Sequence, residues 1–255
     1  MMRLLFKALA AISRRLPASW VEALVLTLIN ARADSLPSPQ GLRMLFRLDN
    51  RLYEAQSRLA QRHDGGTHPK HRITRYHDFF VDRIGGGERV LDVGCGKGAL
   101  SFSLATQAGA QVTGIDLSAD NIATAKQRFK HASLSFLEGD ALSALPEGRF
   151  DAVILSNVLE HLPERPAFLK RLMTASCARK ILLRVPLIER DWRAPLKREL
   201  GVEWRTDPTH HIEYTLQELA DELQSGGLTV DEIKVCWGEA WVVAHPVAME
   251  GGHEV

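Results

Sequence analysis

The sequence contains few cysteines, and their placement excludes two classes of small stabilised domain. Its 255 residues include only Cys95, Cys177 and Cys236, which lie far apart and form no CxxC pair. A disulfide framework needs a larger, regularly spaced set of cysteines, and a zinc knuckle needs paired ligands. The composition therefore predicts a protein of a reducing compartment, and we expect a cytoplasmic location.

Long hydrophobic runs are also absent. The apolar run at residues 20–29 contains Glu22 and is much shorter than the ~20 residues that a transmembrane helix needs. Lys7 interrupts the first apolar stretch and no small-x-small site follows it, so we expect no signal peptide. Apolar residues nevertheless recur there at helical spacing among basic ones: Leu4, Leu5, Ala8, Ile12 and Leu16. They predict an amphipathic helix, which can lie on a membrane surface or pack on the body of the protein. We expect packing.

The near-neutral net charge of +1 conceals an uneven distribution. Residues 1–84 hold 14 Lys+Arg and 7 Asp+Glu, a net of +7, whereas residues 85–255 hold 18 and 24, a net of −6. A basic segment can meet an anionic partner such as a membrane or nucleic acid, or an acidic surface of its own chain. We expect the intramolecular pairing, with membrane contact as the alternative and no nucleic-acid partner.

Two domains are predicted from the change in sequence pattern. Residues 1–84 have helical patterns and form a basic helical extension or lid, and "GGG" at residues 85–87 ends the last helix. Residues 85–255 alternate between strands and helices, which predicts a parallel sheet covered on both faces. The last two strands, at 228–236 and 240–244, are too close for a crossover, so an antiparallel hairpin is expected at one end.

A glycine turn follows the first strand in "RVLDVGCGKGALSFSLA", residues 89–105. A Walker loop needs GxxxxGK and then Ser or Thr, which this spacing excludes. Gly94, Gly96 and Ala99 satisfy the dinucleotide pattern GxGxx(G/A), and Asp116 lies 20 residues after Gly96. A ribose-binding acid is expected at that distance, so the turn alone leaves NAD open.

Three further features favour a ligand without a pyrophosphate. Asp92 would repel phosphate at the strand end but would attract an ammonium group. "LEGDAL" places Asp140 after the third strand, where an adenine amino group can be recognised. The fourth strand, in "RFDAVILSNVLEHLP", ends in the polar residues Ser156 and Asn157.

The segments "VLDVGCGKG", "VTGIDLS", "LEGDA" and "FDAVILSNVLEHL" resemble, in order and spacing, the successive motifs of class I S-adenosylmethionine-dependent methyltransferases. The resemblance covers roughly residues 75–245. It implies a Rossmann-like, seven-stranded, mostly parallel sheet with a terminal antiparallel hairpin, and S-adenosylmethionine as the cofactor. It also implies the cofactor-binding residues Tyr76, Asp92, Gly94, Cys95, Gly96, Gly98, Asp116, Leu117, Asp140, Ala141 and Asn157.

The resemblance implies a role for each of the three aspartates and for the residues that follow Asp116 and Asp140. Asp92 would hold the α-amino side of the ligand, Asp116 the ribose hydroxyls and Asp140 the adenine amino group. Leu117 would pack on the adenine face, and the backbone of Ala141 would contact a ring nitrogen. Asp116 and Asp140 have an alternative role as helix N-caps, because helical or turn patterns follow both of them.

Glu160 and His161 are the catalytic candidates, since an alcohol acceptor must lose a proton to a nearby base. Alternatively, Glu160 caps a helix that begins at Pro163 and His161 packs on the cofactor. Ubiquinone-pathway and small-RNA methyltransferases carry a metal-binding ExxEH motif, and here Asn157 replaces its first glutamate. We therefore predict no metal, although Glu160, His161 and either His210 or His211 would form a weaker site.

The methyl acceptor is predicted from the segments that the core motifs leave unexplained. Residues 187–214 mix basic and aromatic side chains. The segment "DPTHHIEYTLQELADELQSGGLTV", residues 207–230, loosely resembles the late part of enzymes of bacterial surface-polysaccharide pathways. The first expectation is therefore O-methylation of a glycan, glycolipid precursor or related metabolite. A quinone-like lipid is the alternative, favoured by the basic amphipathic N-terminus, and a non-catalytic binding protein is the third.

Overall fold

The computed structural model describes residues 2–143, 145–146 and 148–247, so the outer ends of both predicted domains, residue 1 and residues 248–255, lie outside it. The helices are α1 Met2–Ser13, α2 Ala18–Asp34, α3 Ser38–His63, α4 Lys70–Thr74, α5 Tyr76–Val81, α6 Ala99–Gln107, α7 Ala119–Arg128, α8 Arg165–Ser176, α9 Arg193–Glu199 and α10 Leu216–Ser225. The strands are β1 Arg89–Val93, β2 Gln111–Asp116, β3 Leu134–Glu138, β4 Ala152–Ser156, β5 Lys180–Pro186, β6 Leu228–Cys236 and β7 Glu239–Pro246.

The seven strands form one sheet in the order β3-β2-β1-β4-β5-β7-β6. The pairs from β3 to β5 are parallel, while β7 runs antiparallel to both β5 and β6. Trp237 and Gly238 join β6 to β7 with φ values of 56° and 75°. Two consecutive positive φ angles match the turn that suits a two-residue hairpin. The predicted mostly parallel sheet with a terminal antiparallel hairpin is confirmed.

Helices cover both faces of the sheet, which explains why its central strands are mostly apolar. On one face, Phe168 and Leu172 of α8 and Leu219 of α10 pack against β4 and β5. On the other face, α5 and α6 pack with Phe80 and Leu104 in a second cluster. Parallel sheets are buried in this way because each crossover helix lies over a face. Helix α5 thus belongs to the layers of the sheet, although it precedes the predicted boundary at residue 84.

The long helix α3 fixes the N-terminal extension to the segment between β5 and α10. This segment, residues 187–214, includes α9 and is called the insert below. Lys197 of the insert donates to Asp49 Oδ2 at 2.8 Å, and the Asn50 amide donates to the Glu203 carbonyl at 2.7 Å. Phe46 is buried beside Trp192, with ring centroids 6.5 Å apart. The extension therefore reaches the body of the protein through α3.

Helices α1 and α2 do not follow the expectation of packing on the core. No residue of either helix is fully buried in the part of the chain that the structure describes, and α2 packs on α3. One ion pair of the predicted kind joins Arg83 of the basic extension to Glu232 of the sheet domain at 2.6 Å, whereas the pair at the α3 contact has the reverse polarity, with Asp49 in the extension and Lys197 in the insert. Neither ion pair involves α1 or α2. No helix in the described ranges has the length and apolar character needed to span a bilayer.

Candidate active site

The three glycines after β1 all have positive φ angles: 68° at Gly94, 55° at Gly96 and 79° at Gly98. A Cβ atom on Gly94 would lie 2.5 Å from Val158 Cγ2, and one on Gly98 would lie 2.5 Å from the Phe136 ring. These two glycines therefore make room for the protein's own side chains. Only at Gly96 would a Cβ meet no atom within 4 Å, so its backbone borders open space where a ligand can approach.

Asp92 lies beneath this loop rather than on its surface. Its side chain is 1% exposed and accepts a hydrogen bond from Ser101 Oγ of α6 at 2.5 Å. Burial raises the pKa of Asp92 to about 7, and the nearby charge of Asp116 adds to the effect. The carboxyl group therefore supports the start of α6. Direct contact between Asp92 and a ligand stays a prediction.

Asp116 ties the end of β2 to the glycine loop. Its Oδ2 accepts from the Gly96 amide at 2.8 Å, and its Oδ1 accepts from the Ser118 amide at 2.9 Å and from the side-chain amide of Asn121 at 3.1 Å. The N-cap of α7 is Ser118, so Asp116 is not the predicted alternative cap. The next residue, Leu117, is 74% exposed and presents an apolar surface beside this carboxylate.

Asp140 lies beyond the end of the neighbouring strand β3. Its Oδ1 accepts from the Leu142 amide at 2.9 Å, and residues 141–143 form turns rather than the helix that a cap would start. Ala141 packs partly against the core. The Cys95 thiol is buried in a small cluster with Ile122, and burial raises its pKa, so only the backbone of Cys95 can serve a ligand.

Tyr76 and Asn157 complete the predicted set on the other side of the loop. The buried Tyr76 hydroxyl pairs with His71 Nδ1 at 2.8 Å, and burial raises the pKa of Tyr76 to about 12. Asn157 follows β4 with φ 58°, and its Oδ1 is buried and has no hydrogen-bond partner among the residues that the structure describes. An amide oxygen in that state is available to a donor from outside the chain.

Arg184 is a residue of this site that the motifs do not indicate. It is 5% exposed on β5, its guanidinium carbon lies 3.7 Å from the centroid of the Tyr76 ring, and its Nε lies 3.6 Å from Glu239 Oε2. The Nε has no hydrogen-bond partner among the described residues. A cation inside the apolar run "ILLRVP" is the sequence signal that points to it.

Glu160 and His161 lie in a short 3₁₀ turn, Leu159–His161, just after β4. Glu160 has no exposed surface, and neither carboxylate oxygen has a hydrogen-bond partner in the described part of the chain. Burial raises the pKa of Glu160 to about 7. The predicted alternative, a cap on the following helix, is wrong, because α8 begins at Arg165 and its N-cap residue is Glu164.

The insert brings His210 to this turn. The His210 and His161 rings meet edge to face, with centroids 4.6 Å apart, and His210 Nε2 lies 4.0 Å from Glu160 Oε1. Ligand atoms of Glu160, His161 and His210 all lie within 4.8 Å of one another. His211 is exposed, so the structure selects His210 of the two candidates.

Polar contacts from the insert orient both imidazoles. His210 Nδ1 pairs with Glu213 Oε1 at 3.0 Å, and Glu213 also contacts Arg190 and the Thr206 amide. His161 Nδ1 pairs with the Thr209 hydroxyl at 3.0 Å. Burial lowers the pKa of His161, with the nearby His210 adding to the effect, so the ring is neutral near pH 7. A neutral, half-buried imidazole is suited to accept a proton.

Comparison with known proteins agrees with the resemblance to methyltransferases. A methyltransferase-domain family matches residues 90–176. The ubiquinone biosynthesis O-methyltransferase of Rhodopseudomonas palustris strain BisB5 is 39% identical over 157 residues, which are 57% of this chain. The chain spans 60% of that relative's length.

Two solved structures share the fold. Magnesium protoporphyrin IX methyltransferase from Synechocystis, with bound SAH, has a TM-score of 0.55 and 23% identity over 68% of this chain and 82% of its own. The neocarzinostatin-biosynthesis O-methyltransferase, in complex with SAH and 1,4-dihydroxy-2-naphthoic acid, has a TM-score of 0.51 and 22% identity over 62% of this chain and 49% of its own.

Residues 90–176 match a methyltransferase-domain family, and the seven-stranded sheet with its glycine loop has the Rossmann-like fold of the solved S-adenosylmethionine-dependent methyltransferases.

Proposed function

We propose that this protein transfers a methyl group from S-adenosylmethionine to a phenolic hydroxyl of a quinone-like lipid precursor. The observation that carries the proposal is the cluster of Glu160, His161 and His210, which places a neutral imidazole beside an unpartnered carboxyl group one turn after β4. The ubiquinone biosynthesis relatives support a phenolic acceptor. They favour a phenolic acceptor over the glycan hydroxyl, which was the first expectation from the sequence.

The residues around the glycine loop fit S-adenosylmethionine. The open space over Gly96 admits a ligand, and Asp116, beside it, is only partly buried and retains acceptor capacity for ribose hydroxyls. Leu117 offers an exposed apolar face for adenine, with Asp140 at the end of the adjacent strand. The unpartnered Asn157 Oδ1 can accept from the methionine ammonium group.

When bound, S-adenosylmethionine supplies an electrophilic methyl group on a sulfonium. The acceptor oxygen would form its bond to the methyl carbon as the carbon–sulfur bond breaks, and His161 would accept the phenolic proton. Thr209 orients this ring, while His210 and Glu160 lie behind it. Because alignment and exclusion of water supply much of the acceleration in such displacements, we assign the insert the role of covering the reacting groups.

A divalent cation is not required by this arrangement. The cluster offers two imidazole nitrogens and one carboxylate, and Asn157 stands where ExxEH proteins have a second carboxylate. Mg²⁺ prefers an oxygen-rich set of ligands, so the residues fit it poorly. We therefore expect methyl transfer to survive dialysis against a chelator. Loss of activity that added Mn²⁺ or Zn²⁺ restores would contradict this expectation and assign the cluster to a metal.

The cofactor assignment predicts the effect of Asp116→Ala. Removing the carboxylate should weaken S-adenosylhomocysteine binding by about 1–3 kcal/mol, because buried ribose hydroxyls lose their acceptor. Isothermal titration calorimetry measures this, with NAD as the competing ligand. Tight binding of NAD by the natural protein, without binding of S-adenosylhomocysteine, would overturn the assignment.

The proposed acceptor is tested by a radiolabelled methyl-transfer assay. The labelled cofactor is offered with a dihydroxybenzene that carries an alkyl chain, and separately with cell-envelope glycan and RNA fractions. We expect label in the dihydroxybenzene product alone. Label confined to the glycan fraction would return the acceptor to a sugar hydroxyl, and label in no fraction would support a non-catalytic binding protein.

A further inference from the structure

Helix α1 exposes a continuous apolar side to solvent. Met2, Leu5, Phe6, Leu9 and Ile12 are each between 51% and 70% exposed, and no residue of the helix is buried. Residues separated by three, four and seven positions share one face of an α-helix, so these five side chains form a single strip. An apolar strip of this length on a soluble surface normally marks a contact with another body.

Only cations accompany this strip. Arg3, Lys7, Arg14 and Arg15 lie in or just after α1, and the first acidic residue of the chain is Glu22. Arg3 and Lys7 are one helical turn apart, well away from the apolar strip. None of the four takes part in an ion pair within the residues that the structure describes. The helix therefore combines an apolar strip on one side with uncompensated positive charge on the other.

We propose that α1 is a membrane-docking helix that lies in the interface of a bilayer containing anionic lipid. The apolar strip enters the boundary between headgroups and acyl chains, and the four cations meet the lipid phosphates. A second copy of this chain fits the strip less well, because pairing would join two helices that each carry four uncompensated cations and would supply neither with an anionic partner. The same charges match an anionic surface.

The next helix carries an exposed apolar side of its own. Trp20, Leu24 and Leu28 of α2 share one side and are 68%, 56% and 62% exposed. Tryptophan is enriched at the level of lipid headgroups, where its ring is apolar and its N–H can reach water. Helix α2 packs on α3, and α3 binds the insert through Asn50 and the Lys197 contact. Docking would therefore hold the insert, which contributes His210 to the candidate active site, close to the bilayer.

This arrangement deepens the proposed function, on which its last step rests. A quinone-like acceptor with a hydrophobic tail resides in the bilayer, so an enzyme held at the surface meets it at high local concentration. The docking of α1 itself depends only on exposed apolar area and charge.

Vesicle sedimentation of the full chain tests the docking. Vesicles of phosphatidylcholine with one quarter phosphatidylglycerol should bind the protein at least ~10-fold more tightly than phosphatidylcholine alone, and added salt should weaken binding. Charge reversal of Arg3, Lys7, Arg14 and Arg15 to Glu should abolish the preference. Leu5→Asp with Leu9→Asp should abolish binding to both vesicle types, because it interrupts the apolar strip.

A matched control reverses four exposed cations of the sheet domain: Lys126, Lys130, Arg149 and Lys170. It changes the net charge equally and should bind like the natural protein. Equal loss in both charge-reversed proteins, or no binding to anionic vesicles, would overturn the proposal. The proposal would also be overturned if the apolar strip supported only dimerisation. The readout for that outcome is a molecular mass that rises with protein concentration and that the Leu5→Asp, Leu9→Asp double variant no longer shows.

Methyl transfer to a soluble short-chain dihydroxybenzene, measured on every variant, separates the two proposals. Variants of α1 should keep this activity but should no longer bind anionic vesicles. An inactive natural protein that still docks would refute the proposed function and leave the docking helix in place.

Discussion

Replacing His161 with Ala is expected to lower kcat for methyl transfer by about 10²–10⁴-fold, the range typical of a lost general base. His161 is the accessible member of the cluster, because Glu160 is fully buried and His210 is 4% exposed. Its burial-lowered pKa keeps it neutral at assay pH. The affinity for S-adenosylhomocysteine should change by less than about twofold, since His161 is not among the proposed cofactor-binding residues. Single-turnover kinetics with the alkyl dihydroxybenzene measure the rate.

Two further variants show whether the effect belongs to the base. His211→Ala removes a neighbouring exposed imidazole and should leave kcat unchanged. Thr209→Val removes the hydroxyl that pairs with His161 Nδ1 and should lower kcat by roughly 10-fold, because the ring loses its orientation but keeps its proton-accepting nitrogen. An unchanged kcat in His161→Ala at saturating acceptor would show that His161 is structural and would make Glu160 the next candidate base.

The sheet could be predicted because the sequence itself encodes its pattern. Strands buried on both faces are continuous apolar runs, and local turn signals such as Trp237–Gly238 fix the hairpin. The cofactor acids could be placed for a related reason. Asp116 and Asp140 each follow a strand, and the carboxyl ends of parallel strands meet at one edge.

The catalytic cluster could be predicted only in part. Choosing between His210 and His211 requires the tertiary contact of Glu213 with Arg190, which no periodicity in the insert reveals. The roles of Gly94 and Gly98 likewise depend on Val158 and Phe136, which are distant in sequence. The packing of α1 could not be predicted, because an amphipathic pattern does not specify which apolar surface it meets.

The buried Asp92 gives the second large expected effect, on stability. Its pKa rises from 3.8 to about 7 on folding, chiefly through burial, so the folded protein binds a proton more tightly than the unfolded chain between these pH values. Stability therefore falls as pH rises through this window, and the full penalty is present above pH 7. A shift of this size corresponds to a penalty on the order of 4 kcal/mol.

Asp92→Asn should remove that penalty. The amide oxygen can still accept from Ser101, and no charge is buried, so the free energy of unfolding at pH 8 should rise by up to about 4 kcal/mol. At pH 4 the two proteins should be nearly equal, because the natural carboxyl is then protonated in the fold. Urea unfolding at both pH values measures the difference. Asp82→Asn, at an exposed position, should show no comparable pH dependence.

A role in cofactor binding would explain why the protein retains a carboxylate that destabilises its fold. If Asp92 supports the loop for a cationic ligand, Asp92→Asn should bind S-adenosylhomocysteine about 10-fold more weakly or worse at pH 8, where the natural group is ionised, since hydrogen bonds to charged groups contribute about 1.5–3 kcal/mol. The variant would then be more stable and less able to bind. A variant as stable as the natural protein at pH 8 would show that the carboxylate carries no penalty. Unchanged affinity across pH 5 to 8 would show that it has no role in binding the cofactor.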